Sequence, residues 1–101
     1  MEYVEIAREG QIAPGTMKAF SVKGKDLLVA NVGGQYYAIG SKCTHMHVDL
    51  SKGVLNGKVV TCPRHGSQFD VTSGARLAGP AKDNEPAFAV KVEGGSIQVG
   101  I

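Results

Sequence analysis

The chain of 101 residues has no tryptophan, only two cysteines and no long apolar run. A membrane-spanning helix needs about 20 mostly apolar residues, so we expect no membrane contact. In a reducing cytoplasm, two cysteines are expected to be metal ligands or free thiols instead of a disulfide. Residues 1–10 carry several charges where a secretory signal would have an apolar segment. These absences predict a cytoplasmic protein.

Strong charge of either sign is also missing. The net charge is +2 at pH 7 and is spread along the chain, which argues against a nucleic-acid partner. Hydrophobic residues make up 43% of the chain and charged residues 20%, a balance that predicts a globular fold rather than disorder. We expect one domain over residues 1–101, since this length is near the commonest domain size, and we expect a monomer.

Glycine, by contrast, is abundant at 14 residues, and the apolar stretches between the glycines are short. Polar and apolar residues alternate as they do in half-buried strands. The predicted strands are 2–7, 17–22, 27–32, 35–40, 53–55, 58–62, 67–71, 75–78 and the two arms of a final hairpin within 87–99. Only residues 46–52 suggest a helical turn. The pattern predicts an all-β antiparallel sandwich or small barrel of about nine or ten short strands.

All the cysteines and histidines lie in two short segments: Cys43, His45 and His47, then Cys62 and His65. A predicted hairpin between these segments would fold them side by side. Thiolates and imidazoles are common metal ligands. We therefore predict a metal site made of Cys43, His45, Cys62 and His65, with buried cysteines and surface histidines of an ordinary β domain as the alternative.

Zinc is one candidate metal, because two cysteines and two histidines suit a tetrahedral zinc site. Zinc fingers, however, usually group the cysteines together and the histidines together, whereas here each loop holds one of each. This arrangement resembles the Rieske-type [2Fe-2S] proteins. The resemblance rests on Cys43-Thr44-His45, Cys62-Pro63-Arg64-His65-Gly66-Ser67, Phe69-Asp70, the turn 72–74 and Gly79-Pro80-Ala81. Structural zinc stays open as the non-redox alternative.

The resemblance implies one [2Fe-2S] cluster per chain, held by two loops in a subdomain over about residues 40–82. It implies that Cys43 and Cys62 bind one iron as thiolates and that His45 and His65 bind the other as imidazoles. It also implies an electron carrier without catalysis of its own. His47 does not fit this set of four ligands, and we interpret it as a solvated loop residue near the cluster.

Departures from the family narrow the expected function. Rieske proteins of cytochrome complexes carry two further cysteines that form a disulfide, and Val48 and Arg64 stand at the matching positions here. That difference implies a ferredoxin that passes electrons from a flavin-dependent reductase to a terminal oxygenase. The pI of about 8.6 departs from the acidic character usual among such ferredoxins. The alternative is a small redox subunit of another enzyme, such as a nitrite reductase.

The resemblance also assigns expectations to residues beside the ligands. In high-potential relatives, a serine at the position of Ser67 and a tyrosine at the position of Phe69 donate hydrogen bonds to cluster sulfurs. Phenylalanine has no hydroxyl, so we expect a low-to-intermediate potential. We expect Pro80 to cover the cluster, and Lys42 and Arg64 to be exposed and to contribute modestly to docking.

Overall fold

The computed structural model describes residues 2–44 and 47–101. Their backbone forms β1 (Tyr3–Arg8), β2 (Met17–Val22), β3 (Lys25–Val32), β4 (Gln35–Gly40), a 3₁₀ turn (Leu50–Lys52), β5 (Val54–Asn56), β6 (Val59–Thr61), β7 (Gln68–Asp70), β8 (Arg76–Ala78), β9 (Ala87–Phe88), β10 (Val90–Glu93) and β11 (Ser96–Gly100). The strands form three antiparallel sheets with the orders β1-β11-β10, β2-β3-β4-β9 and β5-β6-β7-β8. The all-β prediction is confirmed, and the described residues form 11 strands, more than the nine or ten expected.

The buried apolar residues form two clusters, one on each side of β3. The loop-side core contains Leu28, Ala30, Ile39, Cys43, Leu50, Val60, Cys62, Phe69, Val71 and Ala81. The base core contains Ala7, Ile12, Leu27, Val29, Ala38, Ile97 and Val99. Successive side chains of a strand point to opposite faces, so Leu27 and Val29 enter one core while Leu28 and Ala30 enter the other. Because the middle of β3 is covered on both faces, residues 27–30 form a continuous apolar run instead of an alternating one.

The end of the chain differs from the single hairpin expected over residues 87–99. Phe88 pairs with Ala38 in the second sheet, whereas β10 pairs with β11 in the first. The chain therefore changes sheets at Ala89. Strand periodicity indicates which residues share a face, but it does not indicate which sheet edge a strand joins.

The sheet β5-β6-β7-β8 carries the second cysteine segment between β6 and β7. Its first hairpin turns at Gly57, which has a φ of 60° as the predicted Asn-Gly turn requires. Gly53, just before β5, packs so closely that a Cβ atom there would lie 1.9 Å from the Thr61 carbonyl oxygen. Any side chain at this position would therefore push β5 away from β6.

The helical turn expected within 46–52 is a 3₁₀ turn over Leu50–Lys52; Met46 lies outside the described residues. The Asp49 carboxylate accepts the Ser51 N–H at 2.9 Å and so caps the turn. In the part of the chain that the structure describes, no helix is long and apolar enough to cross a membrane.

Candidate metal centre

The two cysteines lie at the starts of two loops, one after β4 and the other after β6. Cys43 is fully buried and Cys62 is 4% exposed, and both belong to the loop-side core. Neither forms a disulfide. The fold thus brings together two thiols that are separated in sequence by the β5–β6 hairpin. His65 is exposed, and His45 lies outside the described residues.

The first loop is held by backbone hydrogen bonds around Cys43. The Cys43 N–H donates to the Val48 carbonyl at 2.8 Å, and the Cys43 carbonyl accepts the His47 N–H at 2.7 Å. On either side of residues 43–48, the Leu50 N–H donates to the Ser41 carbonyl at 2.7 Å. These backbone hydrogen bonds close the loop around Cys43.

The second loop repeats the same pattern around Cys62. The Cys62 N–H donates to the Ser67 carbonyl at 2.8 Å, and the Cys62 carbonyl accepts the Gly66 N–H at 3.2 Å. In both loops, therefore, the cysteine N–H donates to the carbonyl of the residue five positions later, and the cysteine carbonyl accepts the N–H of the residue four positions later. The two loops present their cysteines in matched backbone settings, as a site with paired ligands requires.

The match between the two loops explains the backbone conformation of His47. Its φ is 57°, and Gly66, the equivalent residue of the second loop, has a φ of 77°. Both occupy the left-handed region that glycine adopts most readily. His47 is exposed. Its place in the loop is that of a turn residue, which supports its interpretation as a non-ligand.

Residues 79–86, which we call the cover segment, contact both loops. The Ala81 N–H donates to the buried Ser67 hydroxyl at 2.9 Å, so that hydroxyl keeps its own hydrogen for another acceptor. At the other loop, the Thr44 hydroxyl donates to the Asp83 carbonyl at 2.9 Å. The cover segment therefore ties the second loop to the first.

Pro80 is exposed and follows a cis peptide bond from Gly79. Ala81, the next residue, is fully buried, and its carbonyl accepts a hydrogen bond from the Arg76 guanidinium. The expected covering role of Pro80 stays a prediction, whereas Ala81 anchors the segment in the loop-side core.

Asp70 and Gly74 shape the turn against which the cover segment packs. The Asp70 carboxylate accepts the Thr72 N–H at 2.9 Å and closes the turn before β8. Gly74 has a φ of 81°, and a Cβ atom there would lie 2.2 Å from the Glu85 carbonyl oxygen. The turn therefore needs glycine because the cover segment packs directly against it.

Glu85 is a residue that the sequence analysis did not single out. It is 4% exposed, and burial raises the pKa of its carboxyl to about 7, although a hydrogen bond from the Thr44 backbone N–H opposes part of that rise. Thr44 separates the predicted ligands Cys43 and His45. A glutamate in a polar loop is usually exposed, so the sequence alone contained no signal for this contact.

The donor set fits an iron–sulfur cluster. Two buried thiols would supply soft ligands in a water-poor core, and the exposed His65 would supply an imidazole. Within residues 2–44 and 47–101, no three His, Cys, Asp or Glu side chains are placed to hold a single ion. A two-iron cluster takes two ligands on each iron, so its ligands need not converge on one point.

Ser67 and Phe69 are both fully buried, and Phe69 shares the loop-side core with the two cysteines. We expect Ser67→Ala to lower the midpoint potential, because the reduced cluster loses a donor. Phe69→Tyr should raise it, because a hydroxyl is added. A hydrogen bond to a charged group is worth about 1.5–3 kcal/mol, or about 65–130 mV for one electron as an upper bound.

Protein-film voltammetry measures both shifts, and thermal unfolding serves as the control. A tyrosine hydroxyl that finds no acceptor in this core would cost about 1–3 kcal/mol of stability. Unchanged potentials in both variants would contradict a contact between these side chains and the cluster sulfurs.

Known proteins similar to this chain carry the same kind of centre. Residues 2–93 match the model of the Rieske [2Fe-2S] domain. The biphenyl 2,3-dioxygenase ferredoxin component of Rhodococcus jostii is 37% identical over all of this chain and 94% of its own length. The carbazole 1,9a-dioxygenase ferredoxin of Nocardioides aromaticivorans superposes with a TM-score of 0.93 at 35% identity, covering 98% of this chain and 97% of that one. A chain from a carbazole 1,9a-dioxygenase complex of reduced oxygenase and oxidized ferredoxin superposes with a TM-score of 0.91 at 34% identity. The match covers 96% of this chain and 91% of that one.

Proposed function

Because this chain belongs to the Rieske [2Fe-2S] domain family, we propose that it is a ferredoxin that passes single electrons from a flavin-dependent reductase to a terminal oxygenase. The observation that supports this most directly is the pair of matched loops, each presenting a buried cysteine to one core. The chain acts as a carrier and has no catalytic residues of its own. We propose that residues 1–101 form a single domain whose cluster-binding part spans about 40–82.

In this proposal Cys43 and Cys62 would hold one iron of the cluster, and His45 and His65 would hold the other. The bound cluster supplies one-electron redox chemistry. The protein's own contribution is to exclude water from the two thiols, which are at most 4% exposed. Exposed His65 lies on the side from which an electron enters and leaves.

The relatives support the choice of partners. The ferredoxin of the carbazole system has been captured with its oxygenase, and this chain matches nearly the full length of such a ferredoxin. Lys42 is exposed and precedes the ligand Cys43, and Arg64 is exposed and precedes the ligand His65. Both positive charges suit contact with acidic groups on a partner. The full set of four ligands also favours a carrier over a nitrite-reductase subunit.

Reconstitution tests the proposed function. A flavin-dependent ferredoxin reductase with NADH should bleach the visible absorbance of the oxidised protein, and a terminal oxygenase of the aromatic-ring type should restore it. Arg64→Glu should slow both transfers at low salt without changing the spectrum, because electrostatic steering depends on charge near the contact.

Lys91→Glu is the matched control, since Lys91 lies on β10, whose sheet packs on the base core. Failure of the protein to exchange electrons with both partners, in spite of an intact cluster, would contradict the proposed function. Equal slowing by both variants would mean that Arg64 has no local docking role.

A further inference from the structure

Glu85 is the one charged residue among the buried residues that the structure describes. Its carboxyl oxygen Oε2 has no hydrogen-bond partner among residues 2–44 and 47–101. Burying an ionised carboxylate without a compensating partner is costly. Such a residue in a short loop calls for a reason other than stability.

Hydrogen bonds hold both the Glu85 carboxyl and the backbone around it. The Thr44 backbone N–H donates to it, the Glu85 N–H donates to the Gly74 carbonyl at 2.8 Å, and the neighbouring Pro86 carbonyl accepts the Gly40 N–H at 2.9 Å. A Cβ atom on Gly40 would lie 2.7 Å from the carboxyl oxygen Oε1. Glycine at the end of β4 therefore makes the space that this side chain fills.

Few charges face this carboxyl. Asp26 from β3 and Lys42 and His47 from the first loop line the same cleft, which has a volume of about 300 Å³. Lys82 and Asp83, the charged residues of the cover segment nearest to it, are exposed. None of these five described residues forms an ion pair with Glu85, and burial is the largest influence on its pKa. Its negative charge is therefore poorly screened.

We propose that Glu85 is a positioning residue that holds the first cluster-binding loop through Thr44 and sets the potential of the cluster through its charge. This inference rests on the proposed function, since it takes Cys43 and His45, on either side of Thr44, as ligands. Acceptance of the Thr44 N–H orients the peptide between them. A buried negative charge close to the site disfavours the reduced cluster, which carries one more electron.

Two variants separate the parts of this role. Glu85→Gln keeps an oxygen that accepts the Thr44 N–H but removes the charge. At pH 8.5 the wild-type carboxyl is ionised. The midpoint potential of Glu85→Gln should then lie above that of the wild type by up to about 59 mV, which is a tenfold change in the redox equilibrium for one electron. At pH 5 the wild-type carboxyl is protonated, so the two potentials should coincide.

Glu85→Ala removes both the acceptor and the charge. It should also release iron faster than the wild type on incubation with a chelator, measured by loss of visible absorbance, whereas Glu85→Gln should release iron at the wild-type rate. Asp83→Asn is the matched control, because it removes an exposed charge from the same segment. Water screens that charge, so its potential should match the wild type at both pH values.

The outcomes distinguish the claims. Equal potentials of Glu85→Gln and wild type at pH 8.5, or wild-type iron release from Glu85→Ala, would overturn the corresponding part of the inference and leave the proposed function intact. Wild-type protein without iron would overturn the proposed function and this inference together. If neither variant folds, the wild type decides the charge effect: its potential must fall between pH 5 and 8.5, and a flat profile overturns it.

Discussion

The His65→Ala protein should be purified without the [2Fe-2S] cluster that the wild type binds, and Cys62→Ser should give the same result. His65 is an exposed side chain, so its truncation should leave the fold intact while it removes a ligand from one iron. Cys62 is 4% exposed in the loop-side core, and replacing its thiolate with a hydroxyl removes a soft ligand. Iron and acid-labile sulfide assays, together with the EPR signal of the reduced protein, measure the loss.

The His47→Ala protein is the matched control and should keep the cluster. His47 is exposed like His65. Its backbone φ of 57° and the hydrogen bond from its backbone N–H to the Cys43 carbonyl place it as a turn residue of the first loop. Loss of the cluster in both histidine variants would make the ligand assignment wrong. A colourless wild-type protein holding one zinc ion per chain would contradict the iron–sulfur interpretation.

The midpoint potential should fall at alkaline pH, with a limiting slope of about 59 mV per pH unit for one proton per electron. A histidine that binds iron through one nitrogen still carries a proton on the other. Ferric iron withdraws more electron density than ferrous iron does, as bound cations acidify their ligands, so oxidation favours loss of that proton. The exposure of His65 gives the proton a route to water.

Voltammetry from about pH 6 to about pH 11 measures this coupling. The Glu85→Gln protein is the preferred background, because burial raises the pKa of Glu85 to about 7 and would add its own fall near neutrality. In that background the potential should be flat around pH 7 and fall only at higher pH. A potential that is independent of pH up to pH 11 would contradict solvent-facing histidine ligands.

The sequence by itself determined the strand content and the family. Alternating residues and glycine turns predicted β2 and β4 with their bounds, because both features depend on local conformation and on one buried face. The motif around Cys43 and Cys62 identified the family, since the order and spacing of ligands are properties of the chain alone. The Rieske interpretation is confirmed by the family match, while the four ligand assignments stay predictions.

Only the tertiary structure decided which distant segments meet. The switch of the chain between sheets at Ala89 depends on which strand edge is free to pair, and that is settled by packing across the whole domain. The same holds for Glu85, which lies 41 positions from Thr44 in sequence and yet hydrogen-bonds its backbone. The matched hydrogen bonds of the two cysteine loops were also absent from the sequence pattern, because residues as different as His47 and Gly66 adopt the same left-handed conformation when the surrounding backbone bonds require it.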